Sequence, residues 1–312
     1  ENIELVPAGN IFGGIIDARS GDTFSSRMLS GGFKPPTYIA YPVLMTAIEP
    51  KSFSDMSRLM KLLEEISIED PNITYELSKE TGQIIVYGIG ELHLETILRR
   101  ILEKIPIYFS EPMVTFKEAV SVSVDLSKNG IHITVYPTPT RGQFVVLRGN
   151  EIKILGIPSD KRLALETIIA ESLRSGPKIG EPIIGVRVEI RLDRRVEEED
   201  ILRVLSEVLA KIVTKIAQPY YKFCISVDCE FLGRILSELS ARGARIEEVV
   251  KGEICEINGM IPVLKSLGLA SRLRDISRGT ANTQLEFLGF MIASPSEEEE
   301  IFEYVLRRRY ST

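Results

Sequence analysis

One order of secondary-structure signals occurs twice along the chain, and it limits the folds available more than any single motif does. Ile39–Ile48 reads as a strand. Ser54–Ser67 follows with Met56, Leu59, Met60, Leu63 and Ile66 on one helical face and Ser52 or Ser54 as candidate N-cap. Ile73–Leu77, a turn over Lys79–Gly82 and Gln83–Tyr87 predict a hairpin. Gly88-Ile89-Gly90 then opens a second helix over Glu91–Lys104, and Ile107–Phe109 closes the series as a strand.

The same succession returns with little shared sequence between 218 and 292. Tyr220–Asp228 predicts a strand, Phe231–Ala241 a helix stopped by Arg242-Gly243, and Arg245–Lys251 with Glu253–Gly259 a hairpin. A helix starts at Val263–Gly268, and Asn282–Phe290 ends the unit as a strand. The order β-α-β-β-α-β is the split βαβ unit of ferredoxin-like domains. Between the two units, strands are expected near Ser121–Val124, Ile131–Tyr136 and Gly185–Leu192, with helices near Ser159–Arg174 and Ile201–Ala217. Glu197–Asp200 place acids at the start of that last helix, where the macrodipole favours them. The terminal helix Glu297–Arg309 is acidic at its start and basic at its end. Residues 1–34 resemble the end of a β domain, with strands at Ile11–Asp17 and Asp22–Met28. That is too little chain to bury a core, so the other strands are expected upstream of Glu1.

The expected architecture is α+β. Residues 1–36 are the end of a β domain and a linker. Residues 37–118 and 218–312 are ferredoxin-like βαββαβ domains flanking an α/β domain at 119–217. No apolar run approaches the length of a membrane helix.

Charge excludes some functions. Residues 1–120 carry 11 basic and 17 acidic side chains, residues 121–217 carry 15 and 13, and residues 218–312 carry 12 and 14. The middle third suits phosphate best, yet falls far short of the dense patch of a nucleic-acid binder identified by charge alone. Cys224, Cys229 and Cys255 are too few and scattered for a disulfide framework and read as buried small side chains in a reducing compartment. With only His93 and His132 and no CxxC pair, zinc is not expected.

No phosphate-cradling GxxxxGK[ST] occurs, and Gly88-Ile89-Gly90 lacks the third glycine of a dinucleotide site. His93 and His132 read as structural histidines. No Ser or Cys nucleophile has a convincing base near it in sequence, so no catalytic, cofactor or metal site is expected. The acids Glu197–Asp200 read as a solvated turn. Two basic groups remain as candidate RNA-phosphate contacts: Arg194 and Arg195, and the cluster Arg272, Arg274 and Arg278, where Gly279 gives the backbone access.

Several stretches resemble the elongation factor 2 family and its bacterial relative elongation factor G. Val6-Pro7-Ala8-Gly9-Asn10-Ile11 is similar to the end of that family's β-barrel domain II. Ala47-Ile48-Glu49-Pro50-Lys51, Glu69-Asp70-Pro71, Glu80-Thr81-Gly82 and above all Gly88–Glu95 (GIGELHLE) resemble domain III. Ser110–Glu118 resembles the crossing into domain IV, and Ser175-Gly176-Pro177 with Gly180–Val186 resembles domain IV itself, an S5-like α/β fold. Leu232-Gly233-Arg234, Arg242-Gly243-Ala244, Ile261-Pro262-Val263, Leu273-Arg274-Asp275 and Arg278-Gly279 resemble domain V.

The resemblance implies a cytoplasmic, ribosome-bound role with rRNA and stalk-base proteins as partners, no membrane, and a monomer off the ribosome. The family is a GTP-driven translocase whose GTPase domain precedes domain II and lies outside this sequence, so GTP and Mg²⁺ are expected only with such a domain upstream. A further departure concerns the tip of domain IV. In elongation factor 2 it carries a histidine that becomes diphthamide. Here Asp193–Asp200 (DRRVEEED) has no histidine and is short. These features favour a divergent factor-site binder acting in ribosome maturation, splitting, dormancy or rescue. The C-terminal part of an active translocase, or a protein-interaction scaffold without RNA binding, are the alternatives.

Overall fold

The computed structural model describes residues 9–10, 22–28, 30–33, 41–78, 81–147, 149–156, 159–193 and 196–310. The strand expected at Ile11–Asp17 therefore lies outside the described residues. Asp22–Met28 is described and carries no strand, a correction to the barrel reading of that segment. The chain divides into two compact units, 1–42 with 46–111 and 43–45 with 112–312.

The first unit runs β1 (Leu44–Pro50), α1 (Met56–Glu69), β2 (Thr74–Leu77), β3 (Ile84–Gly88), α2 (Glu91–Leu102) and β4 (Ile107–Phe109). Its sheet order is β2-β3-β1-β4, so the two ends of the motif become central and edge neighbours while the hairpin lies to the other side. Leu59, Leu62, Leu63 and Ile66 of α1 and Leu94, Ile97, Leu98 and Ile101 of α2 are buried. Each such side chain contributes about 1.5–3 kcal/mol by leaving water. Leu62 takes the place expected of Met56 and Met60, which are only partly covered. Neither expected serine caps α1: Ser52 and Ser54 bond to each other at 2.8 Å, and Asp55 occupies the N-cap after a short 3₁₀ turn.

The second unit contains β5 (Met113–Val114), β6 (Lys117–Val120), β7 (Val124–Lys128), β8 (Ile131–Tyr136), β9 (Thr140–Arg141), β10 (Phe144–Val145) and β11 (Glu151–Leu155). It continues with α3 (Ser159–Ser172), β12 (Arg187–Leu192), α4 (Glu198–Leu209), β13 (Thr214–Asp228), α5 (Leu232–Ala241), β14 (Arg245–Val250) and β15 (Ile254–Pro262). Two short helices α6 (Val263–Ser266) and α7 (Leu269–Ile276), the strand β16 (Asn282–Ile292) and α8 (Pro295–Tyr310) complete it.

Two sheets result. The first, β11-β12-β8-β7, pairs β11 and β12 in parallel and the rest antiparallel. Leu165 and Ile169 of α3, Leu173 just beyond its end, and Ile201, Val204, Leu205 and Val208 of α4 pack on Ile131, Ile133, Val135, Ile154, Val188 and Ile190 of its inner face. Period-2 alternation sends Ser127, His132, Thr134, Glu189 and Arg191 to the opposite, open face. In the second sheet, β14-β15-β13-β16 repeats the strand order of the first unit, and β10 with β9 extends it beyond β16.

The helix expected over Ile201–Ala217 ends at Leu209. From Thr214 the chain is already in β13, whose first residues pair with β6. Partners across the sheet, which periodicity cannot reveal, decide that boundary.

The cysteine reading is also corrected. Cys229 and Cys255 form a disulfide, while Cys224 is free. Antiparallel pairing sets Val227 opposite Cys255, so Cys229, just past the strand end, lies within reach of it. The α8 start carries a capping box: Ser294 N–H donates to Glu297 at 2.7 Å, and Glu297 N–H returns to Ser294 Oγ at 3.5 Å.

Candidate functional site

The expected basic cluster falls on α7 and the turn after it. Leu269 and Leu273 face the core, which leaves Arg272 and Arg274 outside. The helix stops because Arg278 and Gly279 adopt positive φ, 53° and 94°. Gly279 N–H donates back to the Arg274 carbonyl at 2.8 Å, closing the turn as a glycine C-cap does. Buried Ser277 fastens it from below: its hydroxyl donates to the Arg274 carbonyl at 3.2 Å and accepts Ala281 N–H at 2.8 Å.

Arg272 is 3.6 Å from Glu238 on α5. Glu238 also holds Arg242 at 2.8 Å, and that hydrogen bond keeps its carboxyl below the usual range. Arg274 and Arg278 have no ion pair among the described residues. Arg234, one turn before Glu238, stacks its guanidinium 5.1 Å from the centre of the Phe231 ring. Of the arginines around the cluster, the structure links Arg272 to Arg242 through their shared partner Glu238, and Arg242 also donates to the Lys265 and Leu267 carbonyls at 3.0 and 2.8 Å. Arg194 and Arg195 lie outside the described residues.

His93 is structural, as its sequence context suggests. Its Nδ1 accepts Ile89 N–H at 3.2 Å, which leaves Nε2 to donate to Asp70 at 2.9 Å. Burial works to raise the Asp70 carboxyl, but hydrogen bonds from His93 and Asn72 outweigh it and hold the group below its ordinary value. This hub fixes the Gly88–Gly90 turn. At Gly88 an added Cβ would come within 2.8 Å of Leu94, so close packing requires a glycine there.

Glu118, fully buried, was not singled out by sequence. Its carboxylate accepts Ile179 N–H at 2.8 Å, Lys178 N–H at 3.1 Å and the Thr214 hydroxyl. Glu181 forms a buried ion pair with Arg308, which also donates to the Val114 carbonyl at 3.1 Å. Across the open face of the four-stranded sheet, Ser127 Oγ is 2.7 Å from His132 Nδ1, and His132 Nε2 is 2.6 Å from Asp193.

Residues 39–110 match the family description "Elongation Factor G, domain III", and residues 215–301 match "Elongation factor G C-terminus". The chain belongs to the elongation factor G/elongation factor 2 family. The first match falls on the β1–β4 unit and the second on the β13–β16 unit, the two repeats of one strand order. Relatives cover the stretch between them as well. The chain is 26% identical over 370 residues to elongation factor 2 of Natronomonas pharaonis, covering 99% of this chain and 50% of that protein. It is 29% identical over 340 residues to elongation factor G of Thermotoga neapolitana, covering 98% and 47%. It is 26% identical to elongation factor 2 of Pyrococcus horikoshii, covering 99% and 50%. The chain thus spans about half the length of these elongation factors. In fold it is similar to the crystal structure of ttk003000868 from Thermus thermophilus, with a TM-score of 0.59 at 23% identity over 88% of this chain and 44% of that one. Among the described residues no helix is long and apolar enough to cross a membrane.

Proposed function

We propose that the chain is the ribosome-binding part of a cytoplasmic elongation factor G/2-like protein. It occupies the factor site and rests the α7–β16 turn on rRNA phosphate near the stalk base. The observation that carries this reading is the turn itself: Arg274 and Arg278 are exposed, without ion pairs among the described residues, on a backbone fixed by Ser277 and Gly279. Phosphate contacts of this kind fix orientation and carry no sequence information. The β11–β12–β8–β7 region takes the part of the family's S5-like domain IV.

A divergent role, in ribosome maturation, splitting, dormancy or rescue, is supported by the far end of that region. Only residues 193–197 separate β12 from α4, and none is a histidine. The second reading, the C-terminal half of a GTP-dependent translocase, is supported by the half-length match to the elongation factors.

Co-sedimentation with ribosomes tests the proposal. Affinity should fall steeply with salt, because each phosphate contact releases counterions. An Arg274→Ala/Arg278→Ala variant should bind roughly 10-fold or more weakly, with a salt slope shallower by about 2. Binding that is insensitive to salt and RNase would favour a protein scaffold. Factor-dependent peptide synthesis by the full gene product would favour translocation.

A further inference from the structure

The open face of the β11-β12-β8-β7 sheet has no part in the reading above. It holds a cavity of about 340 Å³ lined by Ser127, His132, Tyr136, Leu155, Glu189 and Arg191, among others. That volume suits a small ligand. Ser127 and His132 are direct cross-strand partners in the β7–β8 register, and Asp193 leaves the end of β12 with its N–H on the Gly130 carbonyl at 3.0 Å. Three separate segments therefore place a hydroxyl, an imidazole and a carboxylate in one hydrogen-bonded line, at 2.7 and 2.6 Å. With Nε2–H directed to Asp193, Nδ1 is left as an acceptor for the Ser127 hydroxyl proton. A nucleophile, a base and a group that orients the base are the signature of nucleophilic catalysis. Strand alternation brings them together from five-residue and sixty-one-residue separations, so no sequence motif announces them.

We propose that this face is a nucleophilic site for small carboxylic esters, with Ser127 as the attacking group, His132 as its base and Asp193 as a positioning residue. Ser127 Oγ bonds to the ester carbonyl carbon while its proton passes to His132 Nδ1. The tetrahedral oxyanion collapses, the carbon–oxygen bond to the alcohol breaks, and His132 returns the proton to the departing oxygen. Water then adds to the acyl-serine by the same route, releasing the carboxylic acid and restoring Ser127. Arg191, directly opposite His132 in the β8–β12 register and lining the same cavity, is the cation available to the oxyanion. Leu155, paired with Arg191 in the β11–β12 register, gives the acyl chain an apolar wall.

The test uses the full chain with a fluorophosphonate probe, read by intact mass and peptide mapping, alongside p-nitrophenyl acetate turnover. One label per chain, on Ser127, is expected. Ser127→Ala should abolish it, and His132→Gln should slow it about 100-fold or more. Asp193→Asn should change the shape of the pH–rate profile and not only its height, which a purely structural carboxylate would not do. Ser127 is exposed on the outer face, so its replacement leaves the core intact, and an unchanged circular dichroism spectrum checks this. As an independent arm, Ser127→Cys should react with iodoacetamide at least about 10-fold faster than the free Cys224, and His132→Gln in that background should erase the difference. Labelling that maps elsewhere, that persists in Ser127→Ala, or that ignores His132→Gln would overturn the proposal.

Discussion

The β1–β4 and β13–β16 units share one strand order but are secured differently. The first is pinned locally. His93 at the start of α2 reaches back to Asp70 at the end of α1, and the polar hub is half-exposed. The second is braced over long range. β13 is 15 residues long and pairs with β6, β15 and β16, while β10 and β9 widen the sheet beyond β16. A disulfide closes its far end, and buried Glu118 ties the 178–179 turn to the beginning of β13. One topology can therefore rest on small local contacts or be built into a larger assembly, and the assembly accumulates buried polar groups that tolerate no loss of a partner.

Glu118→Ala should show this contrast most strongly. It strands the buried Ile179 N–H and Thr214 hydroxyl, at about 1–3 kcal/mol each, and the half-buried Lys178 N–H at less, so a loss of about 4 kcal/mol is expected in urea unfolding of the second unit. A loss below about 1 kcal/mol would mean that the brace contributes little. Next, reduction of Cys229–Cys255, or Cys229→Ser/Cys255→Ser, should cost about 3 kcal/mol and lower the melting temperature of that unit by roughly 6–12 °C. The transition of the β1–β4 unit, which has no cysteine, should not move.

An alkaline effect of similar or slightly smaller size is expected at Tyr220. Burial, helped by the Glu297 charge, pushes its hydroxyl up to about 12. The unfolded chain deprotonates first, near its ordinary value of about 10. Stability from this group is complete below about pH 10 and is lost as pH rises through about 12, by about 2–3 kcal/mol. Tyr220→Phe should flatten the decline between those pH values in a denaturation series.

The smallest effect belongs to the first unit. Asp70 is held below its ordinary value, so its contribution is present above the unfolded carboxylate range and is lost as pH falls through the folded value. Asp70→Asn should remove under about 1 kcal/mol, because solvent screens the pair. An effect equal to that of Glu118→Ala would erase the distinction between local pin and long-range brace.

The elements themselves were legible wherever a period ran for a full face. The strand Ile107–Phe109 and the start of α2 at Glu91 agree with the sequence reading, because apolar spacing and a Gly-rich opening act locally. Ser52 and Ser54 misled, since two neighbouring hydroxyls satisfied each other. Met56 and Met60 gave way to Leu62 once the sheet fixed which face of α1 was inward. Among the basic residues, the α7 cluster was visible as charge near a glycine. That Arg272 among them is paired depended on Glu238 of another helix.

By itself, the sequence determined the twofold βαββαβ order, the faces of most helices and the exposed arginines at a glycine-stopped turn. These follow from periodicity, caps and the cost of burying charge, all of which act within a few residues. Only the tertiary structure decided where α4 yields to β13, that Cys229 meets Cys255, that Glu118 is the buried brace and that Ser127, His132 and Asp193 form one line. Each of these depends on strand register, which joins residues far apart in sequence and is set by the whole sheet at once.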